Sequence, residues 1–280
     1  MKLTNSQIDK FHKDGYLLLP SLFSEAETEV LHHAAQAVYA LDREEVFRES
    51  DGVTPRTAFA AHCYNEAFRR LGCHPRLIKP VEQLLDGNVY MHQYKVNAKA
   101  PFTGDVWQWH QDYGTWSRDD HMPEARAMNI ALYVNDAVEF NGPLWMIPGS
   151  HKQGVYEAGH DLQTTSYPLW TLDRKAITRL VEEGGIVSAK AKAGSVLMFY
   201  STLVHCSPPN LSPWPRTVVY LSLCHVDNHI RRFKRPEWIA HRDFAPIECF
   251  ADDCLLTIKD EPAEDSGIGT QTKHTAAAHS

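Results

Sequence analysis

His-x-Asp triplets occur at several places in the sequence, among them His12/Asp14, His110/Asp112 and His241/Asp243. An imidazole and a carboxylate two residues apart suit a metal ion only where both side chains leave the backbone on the same side. On a helix, residues i and i+2 point about 200° apart and cannot share an ion. On a strand they lie on one face. With 16 histidines in 280 residues, a chance triplet or two is expected, so the local element decides. His12/Asp14 falls at the end of a predicted helix, and His241/Asp243 follows Pro236-Glu237-Trp238-Ile239, which has the look of a helix start. The latter spells His-Arg-Asp, a kinase-like triplet, but no glycine-rich loop or Asp-Phe-Gly accompanies it. Of these three, only His110/Asp112, in VWQWHQDYGTW, falls on a predicted strand.

Two ligands need a third. Two histidines and one carboxylate make the facial set of non-haem Fe(II) oxygenases, which leaves adjacent coordination positions open. His205 is the best second histidine: it follows the apolar strand 195–200 and opens a loop, CSPPNLSPWP, that returns at Arg216 into another strand. A loop joining two antiparallel strands brings Arg216 back near His205. A fixed guanidinium beside an iron is what a dicarboxylate such as 2-oxoglutarate requires, because one end chelates the metal and the far carboxylate takes a bidentate, charge-assisted pair. Each residue alone has an ordinary structural use. Their combination is the signal.

The elements that must position these residues change character along the chain. The first third is helical: Thr4 caps a helix through Phe11, a strand follows at 16–19, and Ser24 with Glu27 makes a capping box before an apolar stripe at Val30, Leu31, Ala34, Val38 and Leu41. Pro75 suits the first turn of another helix that stops at Asp86-Gly87. From Asn88 short strands alternate with turns, at 89–96, 106–110, 127–134, 144–147, 186–189, 195–200 and 217–224, with a helix near 174–183. Asn141-Gly142-Pro143 and Pro148-Gly149-Ser150 are turn signals. The pattern predicts a mainly β fold with flanking helices, a jelly-roll core behind a helical N-terminal layer, in one domain over 1–258. Residues 259–280 have almost no apolar content and are expected to be a disordered tail.

Net charge −7 argues against broad binding to nucleic acid or an anionic membrane, since no positive field steers toward phosphate. No apolar run approaches the length needed to span a bilayer. The opening MKLTNSQIDKFHKDGY lacks a signal peptide's apolar stretch, and the six cysteines show no C-x-x-C or framework spacing. The expected location is the cytoplasm.

The segments VYMHQYKVNAKAPFTGDVWQWHQDYGTW, NGPLWMIPGSHKQG, HCSPPNLSPWPR and RPEWIAHRDF resemble the phytanoyl-CoA dioxygenase-like Fe(II)/2-oxoglutarate oxygenases over roughly residues 5–250. Within that family they look most like the ectoine hydroxylases and, closer still, the trans-4-hydroxylases of free L-proline. The stretch N-A-K-A-P-x-T-G-D-V-W-x-W-H-Q-D-Y carries the second likeness. The resemblance implies a double-stranded β-helix, iron on His110, Asp112 and His205, and the distal carboxylate of 2-oxoglutarate on Arg216 with Ser207 beside it. It implies that Gln93 and Asn97 hydrogen-bond cosubstrate or substrate, and that Trp116 and Arg126 stand on the substrate side. Arg118, Asp119 and Asp120 are neighbours without an assigned role.

The implied protein is a hydroxylase using Fe(II), 2-oxoglutarate and dioxygen, with ascorbate as a stimulant, on a small free amino acid. L-Proline is the first substrate, and ectoine or another cyclic amino acid or natural-product intermediate the alternative. SRDDHMPEARAMN mixes the two groups: Met122-Pro123 and Arg126 look like the ectoine enzymes, Asn129 like the proline enzyme. The carboxylate at Asp112 argues against a halogenase, and the absence of a basic cluster argues against a coenzyme A thioester. A non-catalytic jelly-roll binding protein is the reading from another class, opposed by the intact His110, Asp112, His205 and Arg216. One of Trp107 and Trp109 is expected in the core and the other in a pocket wall.

Overall fold

The N-terminal helices begin where their capping residues predict. Thr4 and Gln7 exchange bonds as a capping box, as do Ser24 and Glu27. Pro75 opens its helix at a position where the missing N–H costs nothing, and Asp86 closes it in the left-handed conformation at φ 52°. A computed structural model describes residues 1–163 and 167–258 of the chain; the tail 259–280 lies outside them. Its helices are α1 (Asn5–Asp14), α2 (Glu25–Tyr39), α3 (Ala61–Tyr64), α4 (Glu66–Gly72), α5 (Pro75–Leu85), α6 (Asp112–Asp119) and α7 (Arg174–Gly184). Its strands are β1 (Tyr16–Leu19), β2 (Val46–Arg48), β3 (Pro55–Phe59), β4 (Val89–Lys99), β5 (Trp107–His110), β6 (Ala127–Tyr133), β7 (Leu144–Met146), β8 (Gly159–Asp161), β9 (Leu169–Thr171), β10 (Val187–Ala189), β11 (Val196–Tyr200), β12 (His205–Ser207) and β13 (Arg216–His225).

The strands form two antiparallel sheets, ordered β1-β11-β6-β13-β4-β3-β2 and β10-β7-β12-β5-β9-β8. This is the expected jelly roll. Alternation along the central strands sorts side chains between two layers. Val96, Met128, Ile130, Leu132, Val219, Leu221 and Leu223 face outward and pack on Phe11, Leu31, Ala35, Leu71, Leu77 and Val81 of the helices. Their neighbours Ala131, Tyr133, Val218 and Tyr220 turn between the sheets, against Leu144, Met146 and Phe199. A large sheet covered on both faces explains why β6 and β13 are buried at every residue and largely apolar rather than alternating. No helix among the described residues is long and apolar enough to cross a membrane.

Three local expectations fail. β5 ends at His110, and Asp112 is the first residue of α6 rather than a strand residue. The side chain of Gln111 draws the backbone out of the sheet, donating to Gly154 O at 2.8 Å and Thr202 O, while the Tyr113 amide bonds Ser201 O. A carboxylate then suits the helix N-terminus. His205 opens a short strand, β12, not a loop. Residues 236–240 form a turn closed on Pro236 O, not a helix, after which the His241 amide bonds His92 O. The short strands β2, β3, β8 and β9 fell below the pattern's resolution.

Candidate active site

Two strands and a helix start bring the three candidate ligands together. His110 and His205 are direct partners across the β5–β12 pair. Their rings lie 4.2 Å apart between centroids. Asp112, two residues beyond β5, places Oδ1 3.8 Å from His110 Nε2 and Oδ2 3.5 Å from His205 Nε2. The departure of Asp112 from the strand therefore preserves the convergence by another route.

The far nitrogen of each ring is already tied. His110 Nδ1 bonds Gln108 O at 2.6 Å, and His205 Nδ1 bonds Leu203 O at 3.0 Å. A ring nitrogen facing a carbonyl carries the proton, which leaves each Nε2 a bare lone pair turned toward Asp112. Burial, with His205 adding to it, pushes His110 down to about 3, and burial lowers His205 as well, so both rings are neutral ligands at ordinary pH. Burial alone would raise the Asp112 carboxyl. The Lys95 ammonium, 4.0 Å from Oδ1, and the amide of Asn129 outweigh it and keep the group ionised.

Asn129 donates to Asp112 Oδ2 at 2.7 Å and accepts from Ser222 Oγ at 2.7 Å, so a Ser222–Asn129–Asp112 chain fixes the carboxylate. Supports of this kind typically contribute about 10–100-fold to metal affinity. Asn129→Ala is expected to raise the Fe(II) concentration for half-maximal turnover by about that factor. An unchanged Fe(II) titration contradicts the role.

The triad lines a partly open pocket with Gln93, Lys95, Asn97, Trp107, Trp116, Tyr167, Leu169, Ser207, Arg216, Tyr220 and Arg235. Arg216 is 1 % exposed, yet among the described residues its Nε and Nη1 have no hydrogen-bond partner, and Nη2 makes only a long 3.4 Å contact to Ser207 Oγ. Burying a guanidinium without an anion is costly, so this arrangement fits a carboxylate ligand. The neighbouring buried cations are already engaged, Lys99 by the carbonyls of Asp105, Ser207 and Pro208 and Arg56 by Glu49 and Val106 O. Ser207 Oγ donates to Gly142 O, which keeps its lone pairs toward Arg216. Gly142 has φ +74°, and a Cβ there would meet Pro208 O at 2.7 Å, so the turn needs glycine.

Gln93, Asn97 and Trp116 stand on the pocket wall with the triad, Ser207 and Arg216. Gln93 Nε2 is held by Ile239 O, and Asn97 Oδ1 by Thr57 Oγ1. Trp116 packs edge-on to His92 at 4.8 Å. Trp107 is a wall residue under the Arg56 guanidinium, whereas Trp109 packs against Ile147, Leu172 and Val204.

Arg126 is not brought to this pocket. It precedes β6, and its carbonyl accepts the His225 amide. Arg118 spends its donors on Gly114 O and Tyr156 O, and Asp119 accepts from Trp170. The cation that does reach the wall is Arg235, held by the buried Asp120 through Nε at 2.8 Å and through Nη2. Lys95, Tyr167 and Arg235 were missed. Period-two spacing between Gln93 and Asn97 puts Lys95 on their face and was a usable signal. Arg235 lies more than a hundred residues from Asp120 and had none.

The donor set fits Fe(II), which two imidazoles and one carboxylate suit, with positions left for a chelating cosubstrate. EctD from S. alaskensis, solved with 2-oxoglutarate and 5-hydroxyectoine, superposes with a TM-score of 0.79 at 30% identity, over 89% of this chain and 87% of that one. Among sequences, the ectoine dioxygenase of Bordetella parapertussis is 34% identical over 86% of this chain and 83% of its own length. The L-proline trans-4-hydroxylase of Streptomyces griseoviridis is 30% identical over 85% and 92%. The family model described as Phytanoyl-CoA dioxygenase (PhyH) matches residues 11–218, from the first buried phenylalanine of α1 to the strand that opens with Arg216, and the chain belongs to that family.

Proposed function

We propose that this chain is an Fe(II)- and 2-oxoglutarate-dependent hydroxylase of a small free amino acid, with L-proline, at C4 on the trans face, as its substrate. The observation that carries the reading is the buried Arg216, with two unanswered N–H groups, in the same pocket as three converging ligand atoms. His110, Asp112 and His205 hold the iron, and Arg216 with Ser207 holds the far carboxylate of the cosubstrate. Bound together, iron and 2-oxoglutarate supply the oxidising power that places a hydroxyl on an unactivated C–H bond, the cosubstrate being decarboxylated to succinate.

The chain's own residues bind and orient. Trp107, Trp116, Tyr167 and Leu169 offer apolar walls for a ring, and Arg235, fixed by Asp120, offers a cation to a substrate carboxylate. Gln93 and Asn97 contribute amides between the two ends. The segment after Trp107 keeps water from the triad by burying Trp116 and Gln111. We place the enzyme in the cytoplasm, as its six cysteines are all free.

Ectoine is the second reading, favoured by the ectoine dioxygenases among the relatives and by the structural likeness to EctD. Incubation with Fe(II), ascorbate, 2-oxoglutarate and each candidate separates them. Trans-4-hydroxyproline is the expected product. Pipecolate, larger by one methylene, is expected to be weaker by roughly 10- to 200-fold. Clean hydroxylation of ectoine with none of proline overturns the substrate and leaves the iron chemistry standing. No substrate-linked succinate from any zwitterion favours a binding protein.

A further inference from the structure

A second group of ligand-type side chains stands on the opposite face of β4 from the pocket. His62 and Cys63 belong to α3, and His241 lies just beyond the turn at 236–240. His62 stacks at 4.6 Å on Tyr94, the residue between Gln93 and Lys95 whose side chain takes the outer face. The His62 and His241 rings meet edge to face at 4.7 Å and 86°. Cys63 Sγ is 3.7 Å from His62 Nε2, and one ligand atom from each of the three residues lies within 4.8 Å of the others.

His241 is 8 % exposed, and its Nε2 has no hydrogen-bond partner. A buried imidazole nitrogen without a partner needs an explanation, and a cation supplies one. In a four-coordinate zinc site, bonds of about 2.3 Å to sulfur and 2.0–2.1 Å to nitrogen hold S and N about 3.5 Å apart. The Cys63–His62 separation is close to that edge. Cys63 is exposed, so an ion has a way in, and the same cavity is lined by Glu45, Glu237 and Asp243 together with Arg43 and Arg242, which leaves carboxylates at hand for a fourth position.

We propose that His62, Cys63 and His241 form a second metal site, for a thiophilic divalent cation of the zinc type, with a fourth position left to water or to a carboxylate. The ion joins α3 to the stretch after Pro236. That stretch also holds the pocket wall, because Ile239 O accepts from Gln93 Nε2 and the His241 amide bonds His92 O. The ion is therefore a clamp behind the active site, not a part of the oxidation.

Cobalt(II) reports the site in the full chain, because a thiolate ligand gives a near-ultraviolet charge-transfer band that the iron triad, lacking sulfur, does not. The expected result is a thiolate band that is displaced by zinc, persists in Cys73→Ser, and in His110→Ala, whose triad is broken, saturates at one equivalent. It is lost in Cys63→Ser, an exposed change that leaves the core alone, and in His241→Gln. Absence of the band from the wild type, its survival in Cys63→Ser, or its loss in His110→Ala overturns the proposal.

Discussion

His110→Ala, Asp112→Ala and His205→Ala each lose stoichiometric Fe(II) binding and substrate-linked succinate formation, while their circular dichroism stays that of the wild type. The two histidines contribute bare Nε2 atoms, and the carboxylate contributes the only nearby anion; nothing else among the described residues in the pocket replaces any of them. Loss of a mere support for a ligand costs about 10–100-fold in affinity, so loss of a ligand must cost more. The fold survives because β5 and β12 are joined through backbone pairing at His110 and His205, whatever side chains they carry. Near-normal turnover with Fe(II) in any of the three contradicts the assignment.

Arg216→Ala raises the KM for 2-oxoglutarate with a smaller effect on the maximal rate. A charge pair desolvated on binding contributes roughly 2–5 kcal/mol, which corresponds to about 30- to 5,000-fold. Arg216→Lys restores the charge but not the two parallel N–H groups, and is expected to recover only part of the loss. The same change separates binding from support of the fold. In the protein without cosubstrate, Arg216 is a buried cation with two unpaired donors, so its removal should leave thermal stability unchanged or higher. A KM like the wild type's, or a large fall in melting temperature with no change in KM, places the cosubstrate anchor elsewhere.

The chemistry of this pocket was more legible than its walls. His110 and Asp112 do converge with His205, but by another route than their spacing suggested: the carboxylate reaches the histidines from the first turn of α6, not along a strand. His205 and Arg216 could be linked from sequence because a short loop must return near its start, although the loop joins β12 and β13 of different sheets rather than a paired antiparallel couple. Gln93 and Asn97, taken from the resemblance, stand on the pocket face of β4, where alternation also places Lys95. Arg126 was misplaced because nearness in sequence to Trp116 says nothing once α6 ends and the chain turns away. Arg235 and Tyr167 reach the pocket through long-range packing, by way of Asp120 and the loop before β9, and no local pattern encodes such contacts. The N-terminal caps, in contrast, are local hydrogen bonds between residues three apart, and they were read without error at Thr4 and Ser24.

The most direct test of the account is anaerobic titration of the Fe(II)-loaded protein with 2-oxoglutarate, followed through the visible charge-transfer absorption of the chelate. The account predicts a saturable band in the wild type, no band in Asp112→Ala or His205→Ala, and in Arg216→Ala a band that needs at least about 30-fold more 2-oxoglutarate. A wild-type protein with no band, or an Arg216→Ala titration that overlays the wild type's, contradicts it.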